Sequence, residues 1–280
     1  MIRPLLKDEA FLADVAQARR QGGEVHVWWL GQSGFLIHFA GSYLLADPYL
    51  SDSLTKKYAA TDKPHVRMTE RVIAPEKLDF IDVVTSSHNH TDHLDAETLC
   101  PLMTANPRLR MIIPEANREF VADRLKTDAA WPEGLDDGQS AVVAGFKVSA
   151  VPAAHETIEL DGAGRCKFLG YVFEVGGRRI YHSGDTLLYD GMAARLKTFD
   201  LALALLPING AKPERRVAGN LSGVEAVGLA KQAGAGLVVP CHYEMFEFNT
   251  ASPDEFSREA ERIDQPYRIL RAGERLNLTA

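Results

Sequence analysis

Phe80-Ile81-Asp82-Val83-Val84-Thr85-Ser86-Ser87-His88-Asn89-His90-Thr91-Asp92-His93-Leu94-Asp95 sets four metal-ligand side chains, His88, His90, Asp92 and His93, within six positions. The apolar run before them reads as a buried strand, so the four fall in the loop at its C-terminal end, where layered α/β proteins place binding groups. Unpaired imidazoles and carboxylates resist burial together, and neighbouring imidazoles repel once protonated. A cation removes both difficulties. The alternative reading, a polar surface loop, explains neither the density nor the spacing of the run.

Composition narrows the class without choosing it. The chain has 280 residues, 46% of them apolar, which is enough for a large core within the range of one layered domain. A net charge of −7 argues against a broad nucleic-acid face, so no DNA partner is expected, although a small cationic pocket remains compatible. Cys100, Cys166 and Cys241 form no C-x-x-C pair and are too few for a disulfide framework, which points to a reducing compartment. No apolar run approaches the length of a membrane span and the first residues are not a signal peptide, so a cytoplasmic location is expected. Nothing in the composition excludes a homo-oligomer.

The pattern alternates strands and helices over residues 1–280 without a repeat or an obvious linker, and predicts one domain. Helices are expected over 8–20, 95–104, 115–126, 222–232 and 253–262. Strands are expected over 25–30, 35–39, 43–46, 80–85, 110–113, 140–151 with a hinge at Gly145, 168–175, 178–181, 201–206, 237–239 and 267–270. Residues 48–75 read as a long polar loop, a lid or a surface excursion, and 131–138 as turns. Interleaved β-rich and α/β segments imply two sheets packed between helices.

Further ligand-type residues recur just after strands: His155 after Val151-Pro152, Asp185 in His182-Ser183-Gly184-Asp185, and His242 after Pro240-Cys241. A lone loop histidine is usually only solvated, and an aspartate in Ser-Gly-Asp-Thr is a common turn residue. Their shared position beyond strand ends raises all three. Seven ligands exceed one tetrahedral ion and suit two divalent ions sharing a bridge, with Zn²⁺, Mn²⁺ and Fe²⁺ all compatible with imidazole and carboxylate. His182 reads as a packing group, His26 and His38 as strand histidines, and His65 as a loop residue open to solvent or to the site. Cys241 should face away from His242 as a small buried hydrophobe.

The whole pattern from Trp28 to Leu278 resembles the metallo-β-lactamase superfamily. The resemblance implies a four-layer αββα sandwich of two mixed sheets. It places His88, His90 and His155 on one ion, Asp92, His93 and His242 on a second, and Asp185 between them. It also implies that Asp47, in Asp47-Pro48 after the turn Gly31-Gln32-Ser33-Gly34, orients a ligand histidine from outside the coordination sphere.

A narrower likeness joins Trp29-Leu30-Gly31-Gln32-Ser33-Gly34-Phe35, Asp47-Pro48-Tyr49-Leu50-Ser51-Asp52, Pro207-Ile208-Asn209-Gly210, Gly219-Asn220-Leu221-Ser222, Val239-Pro240-Cys241-His242-Tyr243-Glu244-Met245-Phe246 and Asn249. These segments resemble the L-ascorbate-6-phosphate lactonases. The likeness implies a lactonase-like hydrolase in which a dinuclear, metal-bound hydroxide opens a lactone or cleaves an ester in a small anionic, sugar-phosphate-like substrate, with Asp92 passing a proton to the leaving oxygen. Asn209, Arg215, Arg216, Asn220 and Tyr243 are the candidate substrate contacts. The first four would form a cationic, amide-rich cup for a phosphate, against the alternative of a solvated loop, and Tyr243 against plain aromatic packing.

Two other functions fit the motif. Ser87-His88-Asn89-His90 with His93-Leu94-Asp95 is similar to the phospholipase D enzymes acting on N-acyl-phosphatidylethanolamine, which implies a phosphodiesterase. A metal-stabilised protein that binds a metabolite or RNA is the alternative from another class. An oxygen-reducing diiron role fits poorly, because His90 stands where that branch would be expected to carry glutamate.

Overall fold

A computed structural model describes residues 1–278; the last two residues of the expected 1–280 domain lie outside the described residues. The first sheet grows from an antiparallel meander of β1 (Val25–Gly31), β2 (Gly34–Phe39) and β3 (Ser42–Ala46). Its apolar residues run continuously because both faces are covered. Val27, Trp29, Phe35, Ile37, Leu44 and Ala46 face the second sheet. Trp28, Leu30, Leu36, Tyr43 and Leu45 face helices. The two-residue period of a strand sorts them, and burial on both sides removes any polar alternation.

Three parallel strands extend this sheet, β4 (Val83–Thr85), β5 (Arg110–Pro114) and β6 (Glu133–Leu135), and β13 (Arg275–Leu278) closes the other edge against β1. The helices α1 (Glu9–Ala18), α3 (Ala96–Ala105) and α4 (Arg118–Leu125) cover its outer face through Phe11, Val15, Leu99, Leu102, Val121 and Leu125. A short α2 (Ser53–Tyr58) lies in the connection after β3.

The second sheet has the order β12-β11-β10-β9-β8-β7, with β7 (Ser140–Val143), β8 (Phe146–Pro152), β9 (Leu169–Val175), β10 (Arg178–His182), β11 (Leu203–Pro207) and β12 (Val238–Cys241). The inner cluster runs from this sheet into α5 (Met192–Lys197), α6 (Gly223–Ala233) and α7 (Asp254–Arg262) through Leu196, Val227, Leu229, Ala230, Phe256 and Ala260. Ser222 begins α6 with a complete capping box: its hydroxyl accepts from the Glu225 amide and the Glu225 carboxylate accepts from the Ser222 amide. The result is the expected αββα sandwich of two mixed sheets.

Topology decides where the ligands go. Strands β10, β11 and β12 are parallel, and β8 runs the same way because β9 lies antiparallel between β8 and β10. Pro152, His182 and Cys241 therefore end at one edge of the second sheet. The histidine loop after β4 is drawn to the same edge by two bonds between the layers, Leu169 N–H to Ser87 O at 3.0 Å and the Tyr171 hydroxyl to Ser86 O at 3.1 Å.

Several expectations need correction. Residues 267–270 form no strand: Tyr267 makes a lone bridge to Val238, and the edge strand lies later, at β13. The Arg275-Leu276-Asn277-Leu278 stretch has too few apolar residues to announce itself. It is stabilised by its pairing with β1. The 48–75 segment is not a purely polar excursion; it holds α2 and buries Tyr49, Leu50, Leu54, Val72 and Ile73. The turn-rich 131–138 contains β6, and α5 arises where no helix was expected. Among the described residues, no helix is long and apolar enough to cross a membrane.

The two strand histidines form a pair. His26 and His38 are register partners in β1 and β2, buried at 0% and 1% exposure, with rings 5.6 Å apart and stacked. Burial first, then the charges of His26 and Arg19, lowers the His38 pKa from 6.5 to about 4. The native state thus resists a proton that the unfolded chain accepts. The stability from keeping His38 neutral is present above pH 6.5 and is lost as pH falls through 4. In urea unfolding between those limits, a His38→Gln variant should lose stability less steeply with falling pH than the parent.

Candidate metal centre

Seven ligand side chains meet at the common edge of the two sheets. One ligand atom from each of His88, His90, His155 and Asp185 lies within 4.8 Å of the others, and the same holds for Asp92, His93, Asp185 and His242. Asp185 belongs to both groups. Its Oδ1 is 3.3 Å from His93 Nε2, while its Oδ2 is 3.7 Å from His155 Nε2 and 3.5 Å from His242 Nε2. Asp92 Oδ2 stands 3.6 Å from His93 Nε2 and 3.5 Å from His242 Nε2. These separations exceed good hydrogen bonds. They match ligand pairs about a shared tetrahedral ion, where two atoms at about 2.1 Å from the metal lie about 3.4 Å apart.

Orphaned atoms give an independent test of fit. His88 Nε2, His93 Nε2 and Asp185 Oδ1 are buried with no hydrogen-bond partner. Buried polar atoms are normally satisfied, so three together at one point call for an ion. The donor set of imidazoles and carboxylates without thiolate fits Zn²⁺, Mn²⁺ or Fe²⁺. Cys241 ends β12 buried, and His242 leaves the strand in the left-handed region with a φ of 60°, so a turn at its own backbone, and not the alternation of an extended segment, brings its ring to the site.

Charge divides the site into two unlike halves. Burial, then the neighbouring His93 and His90, holds the His88 imidazole well below its ordinary pKa, and burial likewise lowers His90. In the other half, burial opposes charging of His93 and His242, but the Asp185 and Asp92 carboxylates outweigh it. They hold His93 well above its ordinary value and lift His242 to about 9. Burial also pushes the two carboxylates up, and the same imidazoles, led by His93, overcome it and hold both below the usual range. Protons compensate this acid-rich half, and a divalent ion would displace them.

The surrounding shell aims the rings. His93 Nδ1 lies 2.7 Å from the Asp47 carboxylate, which directs Nε2 toward the cluster. Asp47, fully buried with a φ of 39°, also accepts from the Ser87 amide at 3.0 Å, the Thr85 hydroxyl at 3.3 Å and the Ser87 hydroxyl. His155 Nδ1 donates to Gly219 O at 2.9 Å, which fixes the ring with its Nε2 facing Asp185. Phe168 lies beside His88, His90 and His155 at ring distances of 4.9, 6.0 and 5.7 Å.

Gly184 lets the Asp185 loop approach. It holds a φ of +60°, and a Cβ there would stand 2.6 Å from Ser87 Cβ, directly before His88. His182 is the packing group expected: buried, with Nε2 2.8 Å from Ser33 O.

A cavity of about 470 Å³ opens above the cluster. Its wall carries residues the sequence reading did not select: Gln32, Lys57, Lys63, Thr91, Arg124 and Asn249 among polar groups, and Leu54, Tyr58, Phe120 and Phe246 among apolar ones. Gln32 Nε2 sits 2.8 Å from Asp92 Oδ2 and 2.9 Å from His242 Nε2. The signal for it was its place in the turn Gly31-Gln32-Ser33-Gly34, which both family likenesses include. His65, a loop residue for which both solvent and the site were open in the sequence, faces this cavity, stacked on Tyr58 at 4.5 Å.

None of the five expected substrate contacts lines the cavity. Tyr243 is 2% exposed, stacks on Trp29 at 4.5 Å, and gives its hydroxyl proton to Leu270 O at 2.6 Å. Arg216 is turned outward to Asp62. Asn220 donates to the Asn209 amide oxygen, Asn209 and Arg215 both donate to the Asn249 amide oxygen, and Arg215 also donates to the Asn209 backbone carbonyl. Adjacency in the chain suggested a cup, but the loop folds these side chains inward behind the wall.

Because Asp47 reaches the centre through His93 and through Ser87 beside His88 without itself facing the cluster, an Asp47→Asn variant keeps its shape but should weaken metal affinity by about 10–100-fold, read by competition with a chromophoric chelator.

A model of the beta-lactamase superfamily domain matches residues 43–243. A UPF0173 metal-dependent hydrolase of Methanosarcina barkeri is 27% identical over 267 residues, covering 91% of this chain and 99% of its own. A UPF0173 metal-dependent hydrolase of Pelotomaculum thermopropionicum is 31% identical over 258 residues, covering 90% of this chain and 99% of its own. In fold, the chain is similar to Igni18, a metallo hydrolase of Ignicoccus hospitalis, with a TM-score of 0.67 at 22% identity over 92% of this chain and 99% of that one. With these likenesses and a His/Asp cluster able to bind metal, the chain belongs to the metallo-β-lactamase superfamily and, within it, to the UPF0173 metal-dependent hydrolases.

Proposed function

We propose that this chain uses two divalent ions to open a lactone or cleave an ester in a small anionic substrate, as the likeness to L-ascorbate-6-phosphate lactonases suggests. The observation that carries the substrate class is the sign of the cavity wall. Lys57, Lys63 and Arg124 line it, and its only carboxylates among the described residues are Asp92 and Asp185 on the floor. In a chain with 38 acidic and 31 basic residues, such a local excess of cations focuses anions at one point. Leu54, Tyr58, Phe120 and Phe246 give the same cavity an apolar side for the body of the substrate.

His88, His90 and His155 would hold one ion, Asp92, His93 and His242 the other, with Asp185 shared. Bound there, the ions would supply Lewis acidity, polarising the acyl group and acidifying water. The chain's own groups do the rest. Asp92 stands at the cavity surface, where it can take a proton from water and deliver it to the leaving oxygen. Gln32 donates to Asp92 Oδ2 and holds that carboxylate in place. Asp47 and Gly219 O fix His93 and His155. Arg124 braces the histidine loop from α4 by bonds to Asn89 O at 2.6 Å and Leu94 O at 3.2 Å. Lys57 reaches Thr91 Oγ1 at 3.2 Å, and Lys63 reaches Arg216 O, so both ammonium groups are held near the mouth.

Metal analysis of protein purified without added metal should approach two ions per chain. A value near zero that neither Mn²⁺ nor Zn²⁺ restores would remove the mechanism. Assayed with sugar-phosphate lactones and bis-aryl phosphodiesters, the loaded protein should turn over the lactones. Turnover of the diesters alone would replace the lactonase reading with the phosphodiesterase one. A Lys57→Ala/Lys63→Ala variant should raise KM about tenfold for a phosphorylated substrate and leave kcat within about twofold, since the lost interaction is uniform binding.

A further inference from the structure

Asn249 lines the cavity, and its carboxamide has only one workable orientation. Its Oδ1 accepts from Asn209 Nδ2 at 3.0 Å and from Arg215 Nη1 at 3.0 Å. A guanidinium has five donors and no acceptor, so the atom facing it must be oxygen. A flipped amide would set Nδ2 against two donors. Arg215 is itself anchored, Nη1 to Asn209 O at 2.6 Å and Nη2 to Thr250 O at 2.7 Å.

The polarity set by Arg215 passes inward. Asn209, with its Nδ2 committed to Asn249, turns Oδ1 to Asn220 Nδ2 at 3.1 Å. Asn209 and Asn220 are 1% and 0% exposed, so water does not compete with the chain of amides. Its other end is half-buried Asn249. There Oδ1 points to residues behind the wall, which leaves Nδ2 as the polar atom on the cavity side. Among the described residues Nδ2 has no hydrogen-bond partner.

We infer that Asn249 binds substrate, offering its Nδ2 hydrogens to a phosphoryl or carboxylate oxygen. The inference deepens the anionic-substrate reading and rests on it. The expected cup thus has a different job. Arg215, Asn209 and Asn220 are positioning residues, and Asn249 makes the contact. A plain loop role would use only the φ of 61° at Asn249, which asparagine tolerates. It would not require an anchored, half-buried cation to select the direction of its amide.

The test is calorimetric titration of inorganic phosphate into the metal-loaded protein. Asn249→Asp keeps an oxygen facing Arg215 and Asn209, tolerates the same backbone, and exchanges the cavity-side donor for an acceptor. It should weaken phosphate binding by about tenfold or more with metal content and Tm unchanged. Asn249→Gly keeps the left-handed backbone and deletes the donor without adding charge, and should weaken binding by about threefold or more. Phosphate affinity within about twofold of the parent in Asn249→Gly overturns the inference and leaves the anionic reading standing, whatever Asn249→Asp does. If the metal-loaded parent binds no phosphate, the anionic reading fails and the inference falls with it.

Discussion

Two carboxylates and a crowd of imidazoles share the junction of two sheets, and their mutual charge is the constraint on which the site depends. Five of the seven ligand side chains are buried, with exposures of 5% or less. Desolvation alone would empty such a place of charge. The site instead holds the Asp92 and Asp185 carboxylates low by facing them with His93 and His242, while burial holds the His88 and His90 imidazoles below their ordinary range. Asp185, the residue common to both halves, stands where a shared anionic ligand is needed. Everything around it, from Gly184 without a side chain to Asp47 behind His93, keeps these groups in place.

Polar order spreads outward from that junction by two routes. One runs through Asp47, whose carboxylate joins β3 to the backbone of the histidine loop and so couples the first sheet to the ligands. The other runs through Arg215, whose inability to accept a hydrogen bond sets the direction of three amides. Both are cases of a group with a single hydrogen-bond sense imposing order on neighbours that have two. The cavity stands between them, cationic and apolar on its walls, anionic on its floor. That contrast suits a substrate with an acidic group at one end and a carbonyl or phosphoryl group at the metals.

How much of this is legible in the chain depends on whether a property is local. His88-x-His90-x-Asp92-His93 is legible because the four ligands come from one loop, and His155, Asp185 and His242 because each follows an apolar strand. The unbroken apolar run Trp28-Trp29-Leu30 fits a strand covered on both faces, although it does not say by what. The edge strand Arg275–Leu278 is not legible, since its pairing partner lies some 250 residues away. Lys57, Lys63 and Arg124 are ordinary surface cations in sequence, and only the folding of α2 and α4 over the same opening gives them a common target. Arg215 and Asn209 show the opposite error. Their types and spacing suggest anion binding, while the side chains point behind the wall.

The sequence by itself determined the layered α/β class and the pattern of histidines and aspartates placed just beyond strand ends, because strand periodicity and residue spacing are properties of consecutive residues. The tertiary structure decided which carboxylate belongs to both groups, which cations face the cavity and which amide lines it. The reason is physical. Coordination and recognition depend on directions and distances between atoms far apart in the chain, and only packing two sheets face to face, with their strand ends at one common edge, sets those.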